Sequence, residues 1–139
     1  MTPETLAEIH AAAFPDTRSW SAQEFSKLLA QQGAILSGDD RSFVLLRVTL
    51  DEAEVLTVAT APSFRRNGLA AAALEKAEET AQKSGATQVF LEVAEDNEPA
   101  KALYARAGYT QVGRRPNYYL LKEGAAVAAL VLQKQLVRA

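Results

Sequence analysis

Apolar positions recur with helical spacing at the start of the chain: Leu6, Ile9 and Ala13 share one face, Thr2-Pro3 marks a helix start and Phe14-Pro15 its stop. A second short helix follows in WSAQEF, where Ser21 and Glu24 have the spacing of a capping box, Trp20 and Phe25 that of a hydrophobic staple, and Gly33 closes the helix. From Ala34 to Thr60 the pattern turns β-rich, in the runs AILSG, RSFVLLRVTL and EAEVLTVAT, separated by Gly38-Asp39-Asp40 and Asp51-Glu52. Connections that short join antiparallel neighbours. Beyond Pro62 the period lengthens again and predicts a helix of about 17 residues ending at Gly85. Ala70, Leu74, Ala77 and Ala81 form its apolar stripe, with Glu75, Glu78, Glu79 and Lys83 opposite. A strand QVFLEVA, a short helix from Asn97 to Ala107 stopped by Gly108, a strand YTQVGRR, a loop and a final apolar run AAVAALVLQKQL complete the chain. The predicted order is ααβββαβαββ, an α/β (α+β) pattern without repeat, linker or low-complexity segment.

At 139 residues the chain suits one domain spanning 1–139, because a second would leave neither half enough interior. With 48% apolar and 23% charged residues it has the balance of a chain that folds around one core. It holds no cysteine and one histidine, which excludes disulfides, thiolate chemistry and a His/Cys zinc cluster. The chemistry falls to oxygen nucleophiles, carboxylates, phenols or backbone. The first residues lack a basic stretch followed by an apolar run, and no apolar segment approaches the roughly 20 residues that cross a bilayer, so a cytoplasmic location and no membrane partner are expected. The net charge of −2 argues against direct nucleic-acid binding, yet residues 1–60 carry 4 Lys/Arg against 9 Asp/Glu and residues 61–139 carry 11 against 8. An acidic first part that attracts a cationic substrate and a basic second part that meets an anionic cofactor fit this asymmetry; so does an ordinary solvated surface.

Two segments carry candidate chemistry. In TVATAPSFRRNGLAAAAL a strand ends at Pro62 and an Arg-Arg-Asn-Gly turn enters a helix directly. The first turn of a helix presents unpaired N–H groups and the positive end of the dipole, so Arg66 to Ala71 suit a pyrophosphate, with Gly68 admitting close approach and Arg65 and Arg66 adding charge. Structural turns of this composition are also common. In NEPAKALYARAGY, Asn97 can cap its helix, and Ala100, Leu103, Tyr104 and Ala107 fall on one stripe. Tyr104 fits either an ordinary core aromatic or a phenol whose tip emerges into a cofactor cleft.

The two together, R-x-x-G-x-A opening a helix, then a strand, then N-x-x-A-x-x-L-Y-x-x-x-G-Y, resemble the GNAT acetyltransferases. Within that superfamily the chain looks like the bacterial ribosomal-protein-alanine N-acetyltransferases, through LDEAEVLTVATAP, VFLEVAEDN, the ALY helix and RRPNYY, over most of residues 43–134. The AFP and WS stretches near residue 20 also fit. The resemblance implies a GNAT fold, with a mixed central sheet splayed at its middle and flanked by helices, and acetyl-CoA as the acetyl donor. It implies that the backbone of Val58, Ala59 and Thr60 contacts the acetyl and pantetheine part, that the loop from Arg65 and Arg66 through Asn67, Gly68 and Leu69 to Ala70 and Ala71 holds the pyrophosphate, and that Asn97 and Tyr104 contact the cofactor. Glu92 matches the general base and Tyr104 the general acid. Position 70 is alanine where glycine is common in the family, and alanine is tolerated there.

Elementary chemistry fits these roles. An α-amino group has a pKa of about 7.7–8.0 and lysine about 10.4, so acyl transfer to either gains from a base. Glu92 shares a strand face with Phe90 while Val89, Leu91 and Val93 take the other, which puts a carboxylate beside an apolar neighbour as a general base requires. A tyrosine hydroxyl can protonate the departing thiolate, and a backbone N–H of the Val58 to Thr60 strand can hold the thioester oxygen. No metal is required. Tyr118 and Tyr119 fit hairpin packing or a substrate groove better than proton donation. His10 reads as a helix-surface or packing residue, the staple accounts for Trp20, and Arg114-Arg115 either meets phosphate or flanks a loop.

The favoured acceptor is a protein or peptide N-terminus, with a ribosomal protein that starts with alanine as the first to try. A small-molecule amine such as a polyamine or aminoglycoside is the alternative enzyme substrate, and a non-catalytic acyl-CoA-binding module is the alternative class. Acceptor choice is assigned to loops near residues 15–25 and 113–125, which carry no readable code.

Overall fold

Thr2 and Ser21 open the two N-terminal helices, each as an N-cap with a capping box, to Thr5 and Glu24 respectively; the helices are α1 (Pro3–Ala13) and α2 (Ala22–Leu29). The computed structural model describes residues 1–16, 18–120 and 123–136. Thr17, Leu121 and Lys122, within the two loops assigned to acceptor choice, lie outside the described residues. After α2 come β1 (Ala34–Asp39), β2 (Ser42–Thr49), β3 (Glu52–Thr60), α3 (Leu69–Lys83), β4 (Gln88–Ala94), α4 (Glu98–Arg106), β5 (Thr110–Leu120) and β6 (Ala126–Gln135). The order matches the sequence expectation. The helix beyond Pro62 begins where the Arg-Arg-Asn-Gly turn ends, after the left-handed Gly68, and has 15 residues; a short 3₁₀ turn over Pro62–Phe64 precedes that turn.

The six strands form one mixed sheet in the order β1-β2-β3-β4-β6-β5. β1, β2 and β3 pair antiparallel, as their short connections require. β3 and β4 run parallel, but pair only from Glu52 to Glu54 against Gln88 to Phe90. Beyond that point the two strands part, so the sheet is splayed at its middle. This is the splayed mixed sheet that the resemblance implied.

A bulge adds to the opening. Leu46 pairs with Val55 and Leu45 with Thr57, which leaves Leu56 of β3 unpaired. The extra residue reverses the alternation of side chains: Val55 packs with α3 and α4, and Ala59 joins the opposite core under α1 and α2. The first core holds Val44, Leu74, Ala77, Val89, Leu91, Tyr104 and Tyr109, and the second is built on Leu6, Phe25, Phe43 and Leu45. Trp20 and Phe25 pack as the staple predicts, with ring centroids 5.6 Å apart.

The stripe on α3 differs from the sequence reading: Ala73 joins it, Ala70 is only half-buried, and a glutamate belongs to it. Glu78, predicted on the solvated side, is 6% exposed, accepts a hydrogen bond from the Tyr109 hydroxyl at 2.7 Å and pairs with Lys134 at 2.8 Å. The pattern of period 3.6 recognises apolar neighbours, whereas these partners come from β6 and from the turn after α4.

Candidate active site

Where β3 and β4 part, a cavity of about 560 Å³ opens, lined from both faces of the sheet. β3 contributes Leu56, Thr57 and Val58; β4 ends in Val93 and Ala94; α4 brings Asn97, Ala100 and Tyr104; α1 and the segment after it bring His10, Phe14 and Asp16; and Tyr118 and Tyr119 close one side. The structure thus unites Val58, Asn97 and Tyr104 from the predicted set. Ala59 is buried in the α1–α2 core, so only its backbone can serve a ligand, and the Thr60 hydroxyl is engaged with Ser42 at 2.8 Å.

The Arg65 to Ala71 loop lies outside this cavity and is built as the sequence suggests. Arg66 and Gly68 both have left-handed backbone, at φ 66° and 73°. Gly68 is the N-cap of α3, no side chain caps that helix, and a Cβ built at Gly68 would meet nothing within 4 Å. Free amides at a helix N-terminus with open space in front suit a phosphate. The loop is anchored by Asn67 donating to Phe64 O and by Arg65 donating to Ala13 O. Asn97 caps α4 by accepting from Ala100 N at 3.2 Å, which leaves its NH₂ end as the available donor.

Tyr104 is 6% exposed and lines the cavity. Its hydroxyl bonds to no described residue and is not among the buried polar atoms left without a partner, so it opens on the cavity. Burial holds its pKa well above the ordinary tyrosine value, with Tyr119 adding to the effect, and the phenol stays protonated at any working pH. Glu92 precedes the lining residue Val93 in β4 and is not itself among the residues that line the cavity. One oxygen pairs with Arg115 at 3.3 Å, and the other, Oε2, is buried without a partner. Tyr119 donates to the Glu92 backbone oxygen at 3.1 Å, and its pKa is pushed up to about 12 by desolvation and then by the Glu92 charge.

The opposite wall is aromatic. His10 is 4% exposed, stacked on Trp20 with centroids 4.8 Å apart, and touches Phe14 and Phe25. Its Nδ1 accepts from the Trp20 backbone N–H at 3.3 Å. Burial, with the Arg18 charge added and Glu24 opposing, lowers its pKa from 6.5 to about 4. The folded state therefore binds fewer protons than the unfolded chain between those values, and stability is full above pH 6.5 and falls as the pH drops towards 4. A loss of about 3 kcal/mol from this group is expected across that window, read as a falling midpoint in urea titrations, and His10→Asn should remove this portion of the pH dependence.

A model of the acetyltransferase (GNAT) family matches residues 6–109. The chain belongs to the GNAT family. It is 32% identical over 121 residues to the ribosomal protein bS18-alanine N-acetyltransferase of Escherichia coli K12, covering 84% of this chain and 79% of that one. Identity to the corresponding enzyme of Salmonella typhimurium LT2 is 35% over 124 residues, with coverage of 84% and 79%. The crystal structure of the Escherichia coli ribosomal-protein-S18-alanine N-acetyltransferase superposes with a TM-score of 0.86 at 26% identity, covering 99% of this chain and 89% of that one. Arabidopsis thaliana NAA60 in complex with acetyl-CoA shares the fold, with a TM-score of 0.83 at 19% identity over 96% of this chain and 93% of the other. The protein is an acetyl-CoA-dependent N-acetyltransferase.

Sequence reasoning missed two features of this acetyltransferase. It left open the place of Arg114-Arg115, which pair with Glu95 at 2.6 Å and with Glu92 at 3.3 Å. It gave His10 a packing role without placing it on the cavity. Tyr118 and Tyr119, read at a hairpin or groove, both line the cavity. Contacts between residues so far apart in the chain leave no local signal. No helix among the described residues is long and apolar enough to cross a membrane.

Proposed function

We propose that this GNAT enzyme acetylates the α-amino group of a protein or peptide, with an alanine-starting ribosomal protein as the first substrate. The observation that carries the reading is the cavity through the splayed sheet, lined by Val58 and Tyr104, with Glu92 next in the chain to the lining residue Val93. The 32–35% identity to enzymes of that specificity over most of the chain supports it.

In this reading the amides of the Arg65, Arg66, Asn67, Gly68, Leu69, Ala70 and Ala71 loop hold the pyrophosphate of acetyl-CoA, and Asn97 donates to the pantetheine arm. A backbone N–H in Val58 to Thr60 holds the thioester oxygen as it gains charge. Glu92 takes the proton of the amine through water at the oxygen that pairs with Arg115, since Oε2 is buried. Tyr104, protonated and open to the cavity, donates to the departing thiolate. Residues 1–139 act as one domain, and we place the reaction in the cytoplasm.

A polyamine or aminoglycoside acceptor remains the competing reading, favoured by Asp16 and Asp96 on the cavity wall. Purified protein with acetyl-CoA and a panel of amines separates them. Acetylation of an alanine-starting peptide is expected; rapid turnover of polyamines or aminoglycosides with no peptide acetylated would overturn the reading. Acetyl-CoA binding without turnover of any amine would indicate a binding module.

A further inference from the structure

The cavity is reached from two faces that differ in character. The pyrophosphate loop and α4 lie on one face of the sheet, with the core around Tyr104 and Leu74; His10, Phe14 and Trp20 lie on the other, with the core around Phe25 and Phe43. A cofactor anchored at the start of α3 enters from the first face, and the amine meets it from the second. His10 is the one strongly polar ring in the aromatic wall on that side.

Its proton is assigned by its partner. Nδ1 accepts from Trp20 N–H, so in the neutral ring the hydrogen sits on Nε2, which is a donor. Among the described residues the buried side-chain polar atoms without a partner are Ser37 Oγ and Glu92 Oε2. Nε2 makes no hydrogen bond there either and is not among them, so it is accessible, and the space it reaches is the cavity that His10 lines. A nearly buried donor aimed into a binding cavity needs an acceptor atom from the ligand, because leaving it unpaired after water is expelled is costly.

We propose that His10 is an acceptor-binding residue whose Nε2–H donates to the first carbonyl oxygen of the peptide, next to the amine that is acetylated. The inference rests on the peptide reading above and sharpens it. A polyamine carries no carbonyl and strands the donor, and a site built to hydrogen-bond a group discriminates strongly against a ligand without it. The neutral state of the ring keeps this contact uncharged throughout the neutral range. His10 transfers no proton.

Two substitutions separate donor from packing. In His10→Asn the side-chain oxygen sits where Nδ1 was and keeps the Trp20 bond, but the donor is gone; in His10→Gln the amide nitrogen reaches the place of Nε2. The expected result is a KM for an alanine-starting peptide raised about tenfold in H10N, with the KM for acetyl-CoA unchanged, and recovery to within about threefold in H10Q. An unchanged peptide KM in H10N, or a KM that rises for acetyl-CoA instead, overturns the proposal. A wild-type measurement stands beside this. The chain has one histidine, so ¹⁵N-histidine labelling of untagged protein gives a single imidazole, whose Nε2 resonance should shift when peptide is added to the CoA complex and stay in place with spermidine. No shift with peptide that is demonstrably bound also overturns it. Failure of the wild type to acetylate any peptide removes the peptide reading itself, and a peptide-active enzyme indifferent to His10 removes this inference alone.

Discussion

Glu92→Gln should lower turnover of a peptide N-terminus by about 10² or more while acetyl-CoA binding survives, and Tyr104→Phe should do the same. Glutamine keeps the size of Glu92 and removes its basicity, so the loss reports proton transfer. The carboxylate has one oxygen paired with Arg115 and one, Oε2, buried and unpartnered. An acceptor amine with a pKa of about 7.7–8.0 is mostly protonated at pH 7. The deficit of the Gln variant should therefore be largest below pH 8 and narrow above it, where the amine arrives neutral. Tyr104 should contribute no limb to the pH profile, since burial keeps its phenol protonated throughout. Steady-state rates from pH 6 to 9, with calorimetric titration of acetyl-CoA, read both. Wild-type rates in either variant would remove that residue from the reaction.

Glu78→Ala should cost about 3 kcal/mol of stability, or a fall of roughly 10 °C in melting temperature for a chain of this size. Glu78 is buried between α3, the Gly-Tyr turn after α4 and β6, with its two oxygens on the Tyr109 hydroxyl and the Lys134 ammonium. Removing the carboxylate strands a phenol in the core and a partly buried cation, and the unpaired groups are more costly than the intact pair is stabilising. Tyr109→Phe should cost less, because Lys134 remains to neutralise Glu78. Its ring still packs against Tyr104 at 5.7 Å. Urea unfolding of both single variants and the double variant measures the coupling. A loss under about 1 kcal/mol for Glu78→Ala would mean the three groups behave as solvated surface.

Much of the local structure at the starts of α3 and α4 was legible in the order of residues. Gly68 before an alanine-rich helix reads as an uncapped helix start, and the structure has that left-handed glycine and no capping side chain. Asn97 reads as a cap and is one. Ser21, Glu24, Trp20 and Phe25 sit within one helical turn and an adjoining residue, and their pairing followed from spacing alone. Contacts between distant elements were not legible. His10 and Trp20 are ten residues apart, Arg115 and Glu92 lie on strands separated by β6, and Glu78 meets Lys134 across 56 positions.

The order of elements, the antiparallel β1-β2-β3 meander, the start of α3 after Gly68 and the membership of Tyr104 in the stripe of α4 are readable in the residues alone. These depend on periodicity, caps and turn residues that act within a few positions of each other. The tertiary structure decided where the sheet parts, because β3 and β4 pair only at their first residues, and it decided that the bulge at Leu56 turns the rest of β3. It also decided that a histidine read as packing faces the cavity and that a glutamate read as solvated is buried. Burial and hydrogen-bond partners are set by elements distant in the chain, and no local pattern encodes which of them will arrive.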